Sequence, residues 1–403
     1  MIFSFTQALN IVKDKLAAAN LMPGTEVVSL HEAHGRVLAE DIPADRDFPP
    51  FDRSIRDGFA VRSADVIAPP VELRLRGEIR AGGHFDGTIG TGECISIMTG
   101  APLPAGADAV VMVEYTETQG DKVQIQRSVH AGENVVRQGS EANSVSCVLP
   151  WGRRLGPSEL GLLATVGKSQ VPVFVRPVVA ILPTGDEVVP VEQRPKWFQI
   201  RNSNSTSLSA QVAVAGGIPR CLQIAPDRPE ALRTLIQEGL TADLLLLTGG
   251  VSVGKYDFVE QVLADLGAEF YFQSVALRPG KPVVFGRAAG KFFFGLPGNP
   301  ISTFVTFALF AGPAIAVLGG GQFESPLFLR ARLSKLLQQR TGLTAFLPAR
   351  VESSSGEPVV TTVAWQGSGD LVGVAATNCF IVVPPEQTGL AAGDWVDVMM
   401  KTQ

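Results

Sequence analysis

The stretch that determines the class of fold runs from Asp243 to Asp257 and reads D-L-L-L-L-T-G-G-V-S-V-G-K-Y-D. Its four consecutive leucines predict a strand that is covered on both faces, as in a parallel sheet with helices on either side. Gly249, Gly250 and Gly254 then allow backbone N–H groups to approach a ligand closely. A glycine loop at the carboxyl end of such a strand predicts a site for an anionic ligand and a metal ion.

The same stretch also has a simpler interpretation. The strand would merely connect to a helix, and Asp257 would cap that helix through its side-chain oxygen. A single glycine pair would favour this simpler interpretation. Similar junctions elsewhere in the chain favour the ligand site.

Composition limits the classes of protein to be considered. A length of 403 residues predicts about two to four domains. The formal net charge of -5 argues against general nucleic-acid binding. The cysteines are far apart and form no C-x-x-C pair, so neither a zinc site nor a disulfide framework is indicated: Cys94, Cys147, Cys221 and Cys379. Reduced cysteines are expected, which favours a cytoplasmic location.

No interaction with a membrane is predicted. The N-terminus lacks the basic region and the apolar run of a signal peptide. The segment from Phe304 to Leu318 is apolar, but it is interrupted by glycine and proline and is too short to cross a bilayer. A core helix is therefore expected there.

The alternation of strand and helix patterns predicts a multidomain protein of the α/β plus β class. Residues 1–44 and 145–175 are assigned to a discontinuous, elongated dimerisation domain, and residues 45–144 to a small β-rich domain. Residues 176–326 alternate between strands and helices, which predicts a doubly wound, mostly parallel sheet. Residues 327–403 are assigned to a C-terminal β domain.

Three other junctions of the α/β region also place polar or glycine-rich segments after predicted strands. These segments are Pro183-Thr-Gly-Asp-Glu187, Pro297-Gly-Asn-Pro300 and the region of Asp227. Because the carboxyl ends of parallel strands meet at one edge of a sheet, all of them are expected to line one crevice.

Four carboxylates would share this crevice: Asp186, Glu187, Asp227 and Asp257. Like charges packed together require a cation or raised pKa values. Hard oxygen ligands beside a phosphate favour Mg²⁺ over zinc. Arg278 and Lys281 could supply positive charge for an oxyanion. The simpler interpretation is that the aspartates cap helices and that Lys281 lies in solvent.

The order and spacing of several short motifs resemble those of the molybdopterin molybdenumtransferases, which include the bacterial MoeA proteins and the related gephyrin E domain. The likeness covers essentially the whole chain. The motifs are Gly35-Arg-Val-Leu-Ala-Glu-Asp41, Pro49-Pro-Phe-Asp52, Asp57-Gly-Phe-Ala60, Met98-Thr-Gly-Ala-Pro102, Pro183-Thr-Gly-Asp-Glu187, Gly249-Gly-Val-Ser-Val-Gly254 with Asp257, Pro279-Gly-Lys-Pro282 and Leu296-Pro-Gly-Asn-Pro300.

The resemblance implies an activity and an assembly. The family inserts molybdate into adenylylated molybdopterin, releases AMP and requires Mg²⁺. Its members are elongated homodimers, and the β-rich domain of one subunit faces the α/β domain of the other across the active site. This arrangement would explain why Asp57 and Thr99 stand in family motifs although they lie far from the α/β region in sequence. An upstream molybdopterin-adenylylating protein is a further expected partner.

The site residues predicted on this basis fall into three groups. The expected catalytic residues are Asp57, Thr99, Asp186, Glu187 and Lys281. The expected substrate-binding residues are Gly249, Gly250, Ser252, Gly254, Arg278, Pro297, Gly298 and Pro300. The expected Mg²⁺ ligands are Asp186, Asp227 and Asp257.

The C-terminal region departs from the family pattern. The family's Gly-Arg-x-x-Phe-x-Arg stretch reads Gly342-Leu-Thr-Ala-Phe346-Leu-Pro348, and the serines expected after Gly367-Ser-Gly-Asp-Leu371 are Val372 and Gly373. If those polar groups hold molybdate, this chain binds molybdate more weakly or in another way.

Two other functions stay open at this point. One is the molybdopterin adenylyltransferase of the preceding step, whose domain resembles the α/β region. The other is a non-catalytic scaffold of the gephyrin type. The additional β domains and the motif Asp57-Gly-Phe-Ala60 favour the insertion enzyme over the adenylyltransferase.

Overall fold

The computed structural model describes residues 2–250, 258–339, 342–353 and 356–401. Within these ranges the chain builds three six-stranded sheets and several two-stranded ribbons. One six-stranded sheet is covered by helices, and the other two belong to β-rich units. The predicted class, multidomain α/β plus β, is therefore confirmed.

The central sheet is mostly parallel, as the apolar strands predicted. Its strands follow the spatial order Ile218–Cys221, Val178–Pro183, Leu244–Thr248, Lys291–Leu296, Val284–Ala288 and Glu269–Phe272. The first four strands are parallel to one another. Val284–Ala288 runs antiparallel to them, and the edge strand Glu269–Phe272 pairs antiparallel with Val284–Ala288. The helices of this unit are Ser203–Val214, Pro229–Gly239, Val259–Asp265, Pro300–Thr306 and Gly312–Leu318.

The four leucines of the central strand explain why both faces of the sheet are covered. Leu244 and Leu246 belong to one apolar cluster, whereas Leu245 and Leu247 belong to a second one. Successive side chains of a strand point to opposite faces, so the run contributes to two cores at once. This packing holds the strand in place and therefore fixes the position in the sheet at which the glycine loop after Thr248 begins.

The helical segment from Pro300 to Leu318 is longer than the sequence indicated. It contains a π-helical turn at Phe307–Ala311, shortly before Pro313, whose ring does not fit the regular α-helical turn. By length and composition alone this 19-residue segment could cross a membrane, but 72% of its most apolar window is buried inside the protein. The complete helix is longer than the run Phe304–Leu318 to which the length prediction applied, and the prediction of a core helix is confirmed.

Two flanking segments of the chain pair to form the elongated unit. Strand Thr25–Ser29 pairs with Gln170–Phe174, and Ile42–Pro43 pairs with Cys147–Leu149. Their apolar side chains share one cluster with helix Pro157–Thr165. These are the segments that the sequence assigned to one discontinuous domain.

The first helix, Phe5–Ala18, packs elsewhere. Its buried residues Ala8, Val12 and Leu16 lie in the core of the α/β unit. The ring of Phe5 contacts that of Phe310 at a centroid distance of 6.2 Å. The assignment of residues 1–44 to one unit thus differs from the packing at this helix, because its apolar face is covered by the α/β unit.

The two remaining six-stranded sheets belong to units that consist almost entirely of strands. The β-rich sheet has the order Ala109–Met112, Gly58–Val61, Glu93–Ile97, Val71–Ile79, Lys122–Ile125 and Thr116–Gln119. The C-terminal sheet has the order Leu277–Arg278, Thr344–Glu352, Val359–Thr362, Phe328–Leu333, Trp395–Met400 and Cys379–Val383. A further pairing of Thr344–Glu352 with Cys379–Val383 closes the C-terminal sheet into a small barrel.

The start of helix Pro157–Thr165 predicts an acid-sensitive contribution to stability. Glu159 accepts hydrogen bonds from Arg153 Nη2 at 2.6 Å, Ser158 Oγ at 3.0 Å and Gly156 N at 3.0 Å. These bonds, that from Arg153 above all, lower the pKa of Glu159 from 4.5 to about 2. A lowered pKa in the folded state stabilises the protein above pH 4.5, and this stabilisation is lost as the pH falls toward 2.

We therefore expect Glu159→Gln to be less stable than the unchanged protein near neutral pH. The two proteins should converge in stability as the pH falls through this window. Thermal unfolding at a series of pH values measures the effect. A difference in unfolding temperature that stays constant with pH would show that the carboxylate charge is not responsible.

Candidate active site

A cleft of about 710 Å³ lies at the carboxyl edge of the central sheet. Three parallel strands end there in register, because Pro183 lies opposite Thr248 and Thr248 lies opposite Leu296. The loops that follow these strands therefore begin at the same level and form adjoining walls of the cleft. The structure thus brings together the glycine turn, the segment after Pro183 and the loop Pro297–Pro300.

The glycine turn requires residues without a side chain. Gly249 has a φ of 94° and Gly250 a φ of 64°, which are left-handed conformations that other residues rarely adopt. A Cβ atom on Gly249 would lie only 2.7 Å from the carbonyl oxygen of Thr184. Both the backbone angle and the close packing therefore explain the glycine at this position.

Asn204 connects two walls of the cleft. It lies near the start of helix Ser203–Val214, and its Nδ2 donates to Thr248 Oγ1 and to the carbonyl oxygen of Gly298, both at 2.8 Å. The amide therefore holds the end of the central strand against the loop that contains Gly298. Asn204 was not among the residues predicted from the sequence, because its partners lie 44 and 94 residues away in the chain.

Two of the predicted metal ligands lie next to each other. The backbone N–H of Asp186 donates to Asp227 Oδ2 at 3.4 Å, and that of Asp227 donates to Asp186 Oδ1 at 3.2 Å. Asp227 and Glu187 line the cleft, and Asp186 lines an adjoining pocket that shares Gly185 with it. Neighbouring carboxylates of this kind attract a cation.

The third predicted metal ligand, Asp257, lies outside the described residues, as do Ser252 and Gly254. Within the part of the chain that the structure describes, there is no group of three or more His, Cys, Asp or Glu side chains that could hold a metal ion. The two neighbouring aspartates are therefore the described portion of the predicted site.

The two predicted cations stand on the segment that precedes Pro282, a residue of the cleft lining. Arg278 belongs to strand Leu277–Arg278, which pairs with the C-terminal barrel, and its Nη1 donates to Gln339 Oε1 at 3.3 Å. Lys281 is exposed, and its neighbour Pro282 lines the cleft. Among the described residues of the lining, neither cation is included. The sequence placed Arg278 in the crevice, whereas its strand joins the neighbouring domain.

Comparison with known proteins shows which family this chain belongs to. Three family models match it, described as the MoeA N-terminal region (domain I and II) at residues 3–167, a probable molybdopterin binding domain at residues 180–317, and the MoeA C-terminal region (domain IV) at residues 330–401. A molybdopterin molybdenumtransferase of Bacillus subtilis is 36% identical over 385 residues, which cover 93% of this chain and 90% of that protein. This chain belongs to the molybdopterin molybdenumtransferase family.

Further members of the molybdopterin molybdenumtransferase family agree in length and fold. A molybdopterin molybdenumtransferase of Nostoc is 35% identical, and the match covers 98% of this chain and 93% of that protein. The crystal structure of a molybdopterin biosynthesis MoeA protein from Pyrococcus horikoshii OT3 covers 100% of both chains with a TM-score of 0.81 and 29% identity. The resemblance stated from the sequence motifs is therefore confirmed, and so is the classification as a transferase.

Of the two segments that depart from the family pattern, the one that contains Gly369 and Val372 lies beside the cleft. Gly369 and Leu371 line the cleft, and the N–H of Ile301 donates to the carbonyl oxygen of Ser368 at 2.9 Å. Val372 is 84% exposed. An apolar side chain therefore stands near the cleft where the family pattern has a hydroxyl group.

Asp370 in the same loop has a structural function. Its carboxylate accepts the N–H groups of Gly373 and Gln366, each at 2.9 Å, and these bonds lower its pKa. It also caps helix Leu371–Ala375. This carboxylate is therefore occupied by its own loop.

Asp57 and Thr99 of the β-rich domain form a pair of their own. Asp57 Oδ1 accepts the backbone N–H of Thr99 at 2.7 Å and its Oγ1 at 2.8 Å. Both bonds lower the pKa of Asp57, and the bond from the backbone N–H has the larger effect. Among the described residues that line the cleft, none comes from the β-rich domain.

This geometry predicts the effect of Thr99→Val. The variant keeps the backbone donor but loses the hydroxyl donor, so we expect the pKa of Asp57 to rise toward its ordinary value. Thr99→Ser keeps both donors and serves as the control. Titration of the carboxyl carbon by NMR measures the pKa, and an equal pKa in the Val and Ser variants would contradict the assigned contact.

Proposed function

We propose that this chain inserts molybdenum from molybdate into adenylylated molybdopterin and releases AMP in a reaction that requires Mg²⁺. The observation that carries the proposal is the proximity of Asp186 and Asp227 at the carboxyl edge of the sheet, next to the cleft that contains the Gly249–Gly250 turn. The name of the two relatives, molybdopterin molybdenumtransferase, supports the same activity. The cleft volume of about 710 Å³ is also that of a site for a ligand of this size.

Mg²⁺ fits the chemistry of the available donors. The carboxylate oxygens of Asp186 and Asp227 are hard ligands, and Mg²⁺ is usually held by one or two carboxylates together with phosphate oxygens and waters. When bound, the ion would neutralise charge on the phosphates and on the departing AMP. Asp257 is the proposed third ligand on the basis of its sequence position.

The remaining groups of the cleft position the substrate. We assign the phosphate groups to the Gly249–Gly250 turn, where no side chain obstructs the approach to the backbone. The loop Pro297–Pro300 forms the facing wall, and Asn204 fixes it against Thr248. Glu187 is proposed as a base at the cleft, and Arg278 and Lys281 as attracting charges at its border. A fixed array of this kind contributes by orientation and by stabilising charge.

A second copy of this chain is proposed to complete the site. The carboxylate of Asp57 is held by Thr99 on an exposed part of the β-rich domain, away from the described cleft lining of the same chain. A homodimer in which this domain faces the partner's cleft would bring Asp57 to the substrate. The protein that supplies adenylylated molybdopterin is a further proposed partner.

We also propose that the enzyme functions in the cytoplasm. All four cysteines are free thiols, as expected for a reducing compartment. Burial raises the pKa of Cys94 to about 12, so this thiol stays protonated and unreactive.

Reconstitution with purified components tests the proposed reaction. The protein is incubated with adenylylated molybdopterin, molybdate and Mg²⁺, and AMP and molybdenum-loaded pterin are quantified. We expect AMP release and metal insertion in equal amounts. A parallel reaction with molybdopterin, ATP and Mg²⁺ addresses the adenylyltransferase, and adenylylated pterin formed there would contradict the assignment. Binding of pterin without either reaction would instead favour a scaffold.

A further inference from the structure

Thr184 carries a hydroxyl group whose environment is unusual for a buried polar atom. The residue follows strand Val178–Pro183, lines the cleft and is 3% exposed. Its backbone N–H donates to the carbonyl oxygen of Thr248 at 3.0 Å. Its Oγ1, in contrast, is buried and has no hydrogen-bond partner within the part of the chain that the structure describes.

A buried hydroxyl without a partner destabilises the folded protein, because it has lost its bonds to water and gained none in return. Native proteins satisfy the large majority of such groups. A valine at this position would have nearly the same shape and no unsatisfied atom. Fold stability alone therefore does not explain a threonine here.

The hydroxyl lies directly against the glycine turn. An ideal Cβ on Gly249 would be 2.9 Å from Thr184 Oγ1, and one on Gly250 would be 2.8 Å from the same atom. The two glycines thus cover the hydroxyl with their backbone alone. Because glycine changes its backbone angles at low cost, a small shift of this turn would uncover the hydroxyl.

A second buried threonine of the same region provides a contrast. Thr303 is 2% exposed, and its Oγ1 donates to the carbonyl oxygen of Asn299 at 3.1 Å and to that of Pro297. Its hydroxyl has partners in the protein, whereas that of Thr184 has none among the described residues. Thr303 is therefore an example of a hydroxyl that stabilises the fold, whereas the hydroxyl of Thr184 is unsatisfied among the described residues.

We propose that Thr184 is a positioning residue whose hydroxyl acquires its hydrogen bond when a phosphate group binds at the Gly249–Gly250 turn. The turn shifts on binding, and Thr184 Oγ1 donates to a phosphate oxygen. The absence of a partner among the described residues favours the bound state, because binding gives the hydroxyl the hydrogen bond that it otherwise lacks. The inference rests on the proposed function, since that function assigns a phosphate to this turn.

The test compares Thr184→Val, Thr184→Ser and Thr303→Val with the unchanged full-length protein. AMP with Mg²⁺ is the probe, its dissociation constant is measured by calorimetry, and thermal unfolding is recorded with and without AMP. We expect Thr184→Val to unfold at the same temperature as the unchanged protein or at a higher one, and yet to bind AMP about tenfold or more weakly. Thr184→Ser should bind AMP nearly normally, and Thr303→Val should unfold at a lower temperature.

Two results would overturn the inference, and they are distinguishable from each other. If Thr184→Val binds AMP as tightly as the unchanged protein does, or unfolds at a lower temperature, the hydroxyl is not reserved for a ligand while the proposed function stands. If the unchanged protein neither binds AMP nor forms the molybdenum cofactor, the proposed function itself fails and the inference fails with it.

Discussion

Asp186→Asn is expected to lower the rate of molybdenum insertion by about 10²–10³-fold, the usual effect of removing a group that stabilises developing charge. The substitution keeps the size of the side chain and an oxygen that can accept a hydrogen bond from the backbone N–H of Asp227. In the unchanged protein this nitrogen lies 3.2 Å from Asp186 Oδ1. Because Asp186 is exposed, its replacement should change the unfolding temperature little. The measured quantities are insertion rate and the Mg²⁺ concentration at half-maximal rate, which should rise.

Asp265→Asn is the matched control for this prediction. Asp265 is also an exposed aspartate of the α/β unit, but it pairs with Arg233 at 2.9 Å and lines neither the cleft nor the adjoining pocket that contains Asp186. An exposed ion pair contributes little to stability, about 0–1 kcal/mol. The control should therefore retain its insertion rate. Equal insertion rates in the Asp186 and Asp265 variants would show that the carboxylate charge of Asp186 is not needed for insertion.

Gly249→Ala is expected to destabilise the protein by about 1–3 kcal/mol and to abolish most of its binding of AMP. Two effects add at this position. The φ of 94° is unfavourable for alanine. In addition, the new Cβ would lie 2.7 Å from the carbonyl oxygen of Thr184, so the turn or its neighbour must shift.

Gly290→Ala separates these two effects. Gly290 has a φ of 78°, but a Cβ there would have no atom within 4 Å. Only the backbone strain should appear, about 1–2 kcal/mol, and AMP binding should be unchanged. Urea unfolding and calorimetry measure both quantities. If Gly249→Ala behaved like Gly290→Ala in both measurements, close packing of the turn against Thr184 would not be important for the site.

The parts of the fold that follow from local patterns could be predicted from the sequence. Strand Leu244–Thr248 begins at the first leucine and ends where the glycines begin, because burial on both faces of a sheet leaves a continuous apolar run. The glycine turn was also recognisable. Both glycines of the pair Gly249–Gly250 adopt left-handed conformations, which other residues rarely adopt.

The features that depend on distant contacts could not be predicted in this way. Asn204 acts through partners that are 44 and 94 residues away in the chain, so no local pattern indicates its contacts. The first helix presents an ordinary apolar stripe, and the stripe does not specify which unit covers it. Arg278 stands immediately before the family motif Pro279-Gly-Lys-Pro282, yet its strand joins the C-terminal barrel. In each case the decisive interaction is tertiary.

A crystal structure of the protein with AMP and Mg²⁺ is the sharpest test of the proposed site. We expect the AMP phosphate to lie at the Gly249–Gly250 turn and a Mg²⁺ ion to lie about 2.1 Å from a carboxylate oxygen of Asp186 or Asp227. Metal density at Asp257 would add the third ligand. The proposed site would be wrong if AMP bound at another part of the molecule, or at the turn with no metal near either aspartate.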